Sequence, residues 1–381
     1  MRNSGAFLKK RRFFVFLIFC LCLIGMFLYR LTFIGILETN EEFRNRYSGL
    51  MLTDTIEYYK YYNKFGDSWF SAILTGEVKN YLGPILLIHI AGMVPFGDLL
   101  VNGFFLLLAT IFLEKMLCQL GTNAVSPFVL LICNPMIIYY AQGYNKEIPM
   151  VFCTILFAYS FVSKSSISAI IAILFALVFR TQMAIYFIGF YFVRFFFDRY
   201  EKKRAYLWVL SIPAMLVFPY IYRKLAHVFI ESSNYYYSQS GGNGIGKAAT
   251  EMLMSVPLGP YVGIPIHAIQ NILEPVMSIS LNTMYDRMSL LSLFIIMPYF
   301  VIIIVQVFIN LFYRAPKRET YTSYDIHLFV VLGITFISLN PIIHSRYLFS
   351  FLPLLSMSVM RRRDRQGMSP FLSSVMISCP K

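Results

Sequence analysis

Charge is scarce in this sequence: 14% of its 381 residues are Asp, Glu, Lys or Arg, against 58% that are hydrophobic. The apolar residues come in long runs instead of the short groups of a water-soluble fold, which excludes an ordinary soluble domain and fits a membrane one. Cysteine is scarce too. Cys20, Cys22, Cys118, Cys133 and Cys153 lie in or beside apolar runs and Cys379 sits in the tail, so neither a disulfide framework nor a zinc site is implied. Acidic residues number 19 against 33 basic ones, a net charge of +14. The basic residues fall in short connections between apolar runs, which points to membrane topology and away from a nucleic-acid surface. Internal repeats, a soluble catalytic domain and low-complexity linkers are missing as well. The run Gly241-Gly242-Asn243-Gly244-Ile245-Gly246 reads as a loop; a phosphate-binding loop needs a following Lys-Ser or Lys-Thr, and Lys247-Ala248 does not supply one.

What is present is a succession of membrane-length segments. Residues 13 to 36 follow Lys9, Lys10, Arg11 and Arg12 and suffice to span roughly 30 Å of hydrocarbon. The length of this run, and the lack of a small-x-small cleavage site after it, favour an anchor over a removed signal peptide. Backbone groups in hydrocarbon must bond internally, so each long apolar run is read as a helix, giving about ten crossings. The stretch from 37 to 80, with Glu38, Glu41, Glu42, Asp54, Glu57, Asp67 and Glu77, is acidic on balance, as an outer loop should be. Gly83 to Val94 is too short to cross comfortably and reads as interfacial or re-entrant. Helices are then expected at 99–118, 124–143 and 147–163, with shorter ones at 167–179 and 183–197 flanking Arg180-Thr181-Gln182. Ten crossings place the basic clusters at 198–204, 314–318 and 361–365 on the cytoplasmic side, with both termini. The expected architecture is all-α: one multi-spanning domain over 1–365, outer loops at about 37–98 and 223–288, and a short cytoplasmic tail at 366–381.

This topology collects ionisable residues on the outer face. Asp54 and Glu57, three apart, share one helical face and suit a general base or a cation site; a solvated face of an amphipathic surface helix is the plainer reading. Lys146 and Glu147 follow the proline-broken segment that starts at Asn134-Pro135, and supply both signs of charge beside hydrocarbon. Arg180, between two short apolar runs, needs a partner. An anionic lipid diphosphate suits its guanidinium, and an internal salt bridge to Glu147 is the competing account. His344 and Arg346 stand at the entrance of the last helix.

Taken together, Asp54-Thr55-Ile56-Glu57-Tyr58, Gly83-Pro84-Ile85, Phe96-Gly97, Asn134-Pro135 through Asn145-Lys146-Glu147, Arg180 and His344-Ser345-Arg346-Tyr347-Leu348 resemble, in order and spacing, the multi-spanning glycosyltransferases of the GT-C fold. They also resemble the surface polysaccharide (O-antigen or capsule) repeat-unit polymerases of the EpsG and Wzy kinds. The resemblance implies a polyprenyl-phosphate or diphosphate-linked saccharide donor at the outer face of a bacterial inner membrane. It matches Asp54 and Glu147 to the catalytic acids of the first and second outer loops, and Arg180 and Arg346 to phosphate-binding positions. Glu57, Lys146 and His344 are the further substrate-binding candidates. The chain lacks the large soluble C-terminal domain of many GT-C enzymes, and its compact length favours a polymerase. The implied partners are a polyprenyl-linked oligosaccharide, membrane lipid and other polysaccharide assembly proteins, with no nucleic acid; no metal ligands are assigned and dependence on a divalent cation stays open. A GT-C single-sugar transferase and a precursor transporter or flippase are the alternatives.

Overall fold

The longest apolar runs form the longest helices. The computed structural model describes residues 3–34, 53–65, 68, 81–122, 124–200, 266, 268–273, 284–312, 323–338, 346 and 348–360, and the regular elements among them are all helical. Helix α1 (Asn3–Tyr29) continues into a π-helical turn (Arg30–Ile34), and α2 (Thr53–Phe65), α3 (Leu82–Ala91) and α4 (Gly97–Gln119) follow. Next come α5 (Ser126–Ile132), α6 (Pro135–Tyr140), α7 (Glu147–Ser163), α8 (Ser166–Phe179) and α9 (Thr181–Tyr200). The last are α10 (Met284–Phe312), α11 (Tyr324–Ser338) and α12 (Leu352–Val359), the last entered through a 3-10 turn (Phe349–Phe351). Arg11–Thr32, Gly97–Gln119 and Arg287–Val307 are long and apolar enough to cross a membrane, and the other apolar helices are shorter.

The chain divides into two units. One comprises Met1–Phe187, Ile279–Val330 and Phe349–Lys381, the other Ile188–Ser278 and Val331–Leu348. In the first unit α7 is central: every side chain from Glu147 to Ala158 is buried, as befits a helix that is apolar all round. Helix α4 packs along it through Phe105 on Phe152 and Phe112 on Tyr159, with ring centroids 5.7 and 5.2 Å apart. Helix α8 turns Ala169, Ala172 and Ala176 inward. Small residues at such positions let helices approach closely, while Ile167, Ile170 and Leu174 face outward. Phe157 stacks on Phe187 of α9 at 4.3 Å and 8°.

The expected helix at 147–163 is α7, and the short segment after Gly83 is α3. The single helix expected at 124–143 is instead two. Pro135 has no N–H to continue the ladder, and Asn134, in an extended conformation, caps α6 by accepting a hydrogen bond from Met136 N at 2.9 Å. Helix α7 stops at Lys164, which takes a left-handed conformation (φ 54°), and Ser165 then caps α8 by accepting from Ser168 N at 3.3 Å. The glycine-rich run at 241–246, the basic residues at 201–204, 314–318 and 361–365, part of the first expected outer loop, most of the second and the tail lie outside the described residues.

Candidate functional site

The ends of several helices of the first unit meet at the turn Ala141 to Lys146, between α6 and α7. This turn is almost wholly buried: Gln142 and Asn145 have no exposed surface and Tyr144 has 2%. Buried backbone polar groups must find partners, and polar side chains from neighbouring helices supply them. Asn102 of α4 donates through Nδ2 to the carbonyls of Ala141 (3.2 Å) and Gly143 (2.9 Å). Thr55 of α2 donates to the Tyr144 carbonyl at 3.3 Å. Asn145 accepts from Glu147 N at 3.0 Å and donates to the Gly143 carbonyl at 3.0 Å, so it both closes the turn and caps α7. Gly143 is required by close approach: a Cβ there would collide with Thr55 Oγ1.

Arg30, at the end of α1, enters this cluster with no exposed surface. Its guanidinium forms an ion pair with Asp98 at the head of α4, and its Nε donates to Gln142 Oε1 at 3.2 Å. Gln142 in turn donates to the carbonyls of Met26 (3.2 Å) and Ile138 (2.8 Å). A sharp connection places Asp98. Phe96 takes a left-handed conformation (φ 57°), costly for a residue with a Cβ, and at Gly97 a Cβ would collide with the Ala91 carbonyl oxygen and lie 2.8 Å from the Tyr144 hydroxyl. Arg30 Nη1 and Asn102 Oδ1 have no hydrogen-bond partner among the described residues. A buried donor and a buried acceptor in one polar cluster are therefore unsatisfied.

On the other side of the turn lie the residues expected to carry chemistry. Arg180, where α8 passes into α9, bonds Glu147 Oε1 at 3.0 Å, with 11% and 4% of the two side chains exposed. The internal salt bridge weighed for Arg180 is thus present, and Glu147 Oε2 also accepts from the Lys146 backbone N–H at 3.2 Å. The Lys146 ammonium sits over the rings of Tyr58 (5.5 Å) and Tyr81 (5.3 Å). Tyr81 stacks on Tyr61 at 4.5 Å. Its phenol is pushed above the ordinary range by burial first, then by Tyr61 and by the nearby charges of Asp54 and Glu57. Tyr59 is likewise raised by burial and then by Asp98, against Arg30. Tyr144 is raised by burial, Tyr59 and Asp98, again against Arg30. Glu57 also pairs with Lys60 one turn on, at 3.0 Å, on a half-exposed face of α2.

Asp54, Glu57, Lys146, Glu147 and Arg180 therefore belong to one neighbourhood of the first unit. Arg346, half-buried, belongs to the second unit, and His344 lies outside the described residues. Among the described residues no group of three or more His, Cys, Asp or Glu side chains is arranged to hold a metal ion. The residues missed in the sequence are Arg30, Asp98, Asn102 and Gln142. Each is a polar residue inside or at the edge of an apolar run, and an ionisable one there requires a partner, a signal that was available for Arg30 and Asp98. No protein-family model, no curated protein and no solved structure matches the chain, so the functional reading rests on the residues themselves.

Proposed function

We propose that this chain is a multi-pass membrane glycosyltransferase, with about ten crossings in the GT-C manner, that takes a polyprenyl-(di)phosphate-linked saccharide at the outer face of a bacterial inner membrane. Its product is a surface polysaccharide, made by joining repeat units. The observation that carries the reading is the gathering of two signs of charge and several tyrosines around one buried turn: Asp54 and Glu57, Lys146 on Tyr58 and Tyr81, and Glu147 with Arg180. Tyrosine rings and carboxylates suit a saccharide, whose C–H faces pack on aromatic rings and whose hydroxyls donate to carboxylates. Fixed cations suit the diphosphate.

In this mechanism Asp54 takes the proton of an acceptor hydroxyl. The acceptor oxygen bonds to the anomeric carbon, the bond from that carbon to the diphosphate oxygen breaks, and the electron pair leaves with polyprenyl diphosphate. Lys146 and Arg180 offset the charge that builds on the leaving group, and their effect is greater beside low-dielectric surroundings than in water. Glu147, already engaged by Arg180, holds that guanidinium in place.

The test is a comparison of Asp54→Asn and Lys146→Gln with the parent in proteoliposomes supplied with donor. Both variants should retain the parent's yield and thermal stability while turnover falls by about 10²-fold or more, in the range of a lost acid–base or electrostatic group. Unchanged turnover in both would remove the site assignment. Saccharide carried across the bilayer with no new glycosidic bond would establish a transporter instead.

A further inference from the structure

Helices α1 and α4 run antiparallel in the first unit and are tied by ion pairs at both ends. Near one end Arg11 meets Glu114 at 2.5 Å and also donates to the Thr122 carbonyl at 2.9 Å. Near the other, Arg30 meets Asp98. At ~1.5 Å rise per residue, positions 11 and 30 of α1 lie roughly 28 Å apart and positions 98 and 114 of α4 roughly 24 Å. The hydrocarbon core of a bilayer is about 30 Å thick.

The exposed side chains turn from apolar to polar at the Arg11–Glu114 pair, while past the Arg30–Asp98 pair Leu31, Val94 and Met93 continue the apolar surface for a short distance. On α4 the outward stripe reads Leu100, Phe104, Leu107 and Ile111 between Asp98 and Glu114, then Lys115 and Gln119 beyond Glu114. On α1 the exposed residues after Arg12 are large and apolar, among them Phe13, Phe16, Leu21, Ile24 and Leu28, and they run on to Leu31 before Thr32. A water-facing helix pair does not present such a band, and its length, with a basic flank at one end, is that of a bilayer's hydrocarbon core. Side chains that suit the two boundaries of a bilayer lie at the two ends. Arg11, Arg12 and Lys115 mark the Arg11 end, as cytoplasmic flanks do, while Tyr59 and the buried Tyr144 lie near Arg30 and Asp98 at the other.

We infer that the Arg11–Glu114 pair marks one boundary of the hydrocarbon and the Arg30–Asp98 pair lies within about one helical turn of the other, that lipid acyl chains cover the band between them, and that the polar turn at 141–147 sits near the boundary opposite the basic end. This placement does not depend on glycosyl transfer. It sets the site at the level of lipid headgroups and polyprenyl phosphate, away from the midplane where carriers hold their substrates.

The experiment uses the full chain in native membrane vesicles. A photo-crosslinking phenylalanine derivative is placed at Leu21, Leu107 or Gln119, and adducts are read by mass. Lipid acyl adducts are expected at positions 21 and 107 and none at 119; adducts to another protein at 21 and 107, or no lipid adduct there, overturn the inference. Sidedness is read separately from Gln119→Cys and Pro95→Cys with a membrane-impermeant maleimide, following the peptide that carries the introduced thiol. Labelling from opposite sides of the membrane supports the placement, and labelling of both from the same side overturns it.

Discussion

Asp98→Asn should destabilise the first unit severely, and the cause is Arg30. The Arg30 side chain has no exposed surface and that of Asp98 has 4%, so removing the carboxylate charge strands a guanidinium where water cannot reach it. Breaking one partner of such a buried pair costs about 3–5 kcal/mol, which is roughly two to four powers of ten in the ratio of folded to unfolded protein. Arg30→Met strands Asp98 instead, and also removes the bond to Gln142, worth about 1.5–3 kcal/mol for a charged donor. The double variant Arg30→Met with Asp98→Leu removes both charges and should recover most of the loss, because apolar replacements of a buried pair are often neutral or stabilising by ~1–4 kcal/mol. Unfolding in nanodiscs can be followed by the reaction of Cys153, a buried thiol at the heart of α7 with no exposed surface, with a thiol-specific dye as temperature rises. If Asp98→Asn matches the parent, or if the double variant loses the sum of the two single losses, the reasoning about a buried, mutually compensating pair is wrong.

Three further outcomes are expected. Arg180→Ala leaves Glu147 buried and unneutralised, so it should cost about 3–5 kcal/mol; Arg180→Ala with Glu147→Gln should regain stability but not glycosyl transfer, and recovery of both would make the pair purely structural. Gly143→Ala drives a Cβ into Thr55 Oγ1 and should cost ~1–3 kcal/mol as overpacking does, with Thr55→Ala relieving much of it; equal stability of parent and Gly143→Ala in the same thiol assay would contradict the close approach. Burial and Asp98 hold the Tyr59 and Tyr144 phenols above the ordinary value. The stability linked to those raised values is complete below about pH 10 and is lost as pH rises through them, so phenolate absorbance of the folded protein should show late-titrating tyrosines, and uniform titration near pH 10 would count against it.

The helices could be read from the sequence where charge or proline punctuates apolar runs. Lys146-Glu147 and Lys164 bracket α7, and its limits agree with the expectation of 147–163. Asn134-Pro135 reads as a break, yet the apolar run continues through it, so the sequence alone favours one helix over 124–143. The short spans of α5 and α6 follow from the lost N–H and the Asn134 cap. For the site, the local pairs Asp54/Glu57 and Lys146/Glu147 and the isolated Arg180 stood out because each puts charge beside apolar sequence. Arg30 and Asp98 did not, because Arg30 reads as part of a long first span and Asp98 as the polar end of a short loop. Their pairing joins residues 68 apart in the chain and the bond to Gln142 joins residues 112 apart, a relation that helical periodicity within one segment does not encode.

The most direct test of the account is to reconstitute the purified chain in nanodiscs, supply a polyprenyl-diphosphate oligosaccharide, and separate the products on a gel. The account predicts a ladder of products, each one repeat unit longer than the last, with polyprenyl diphosphate released. A donor that remains unchanged in nanodiscs holding folded protein would contradict it.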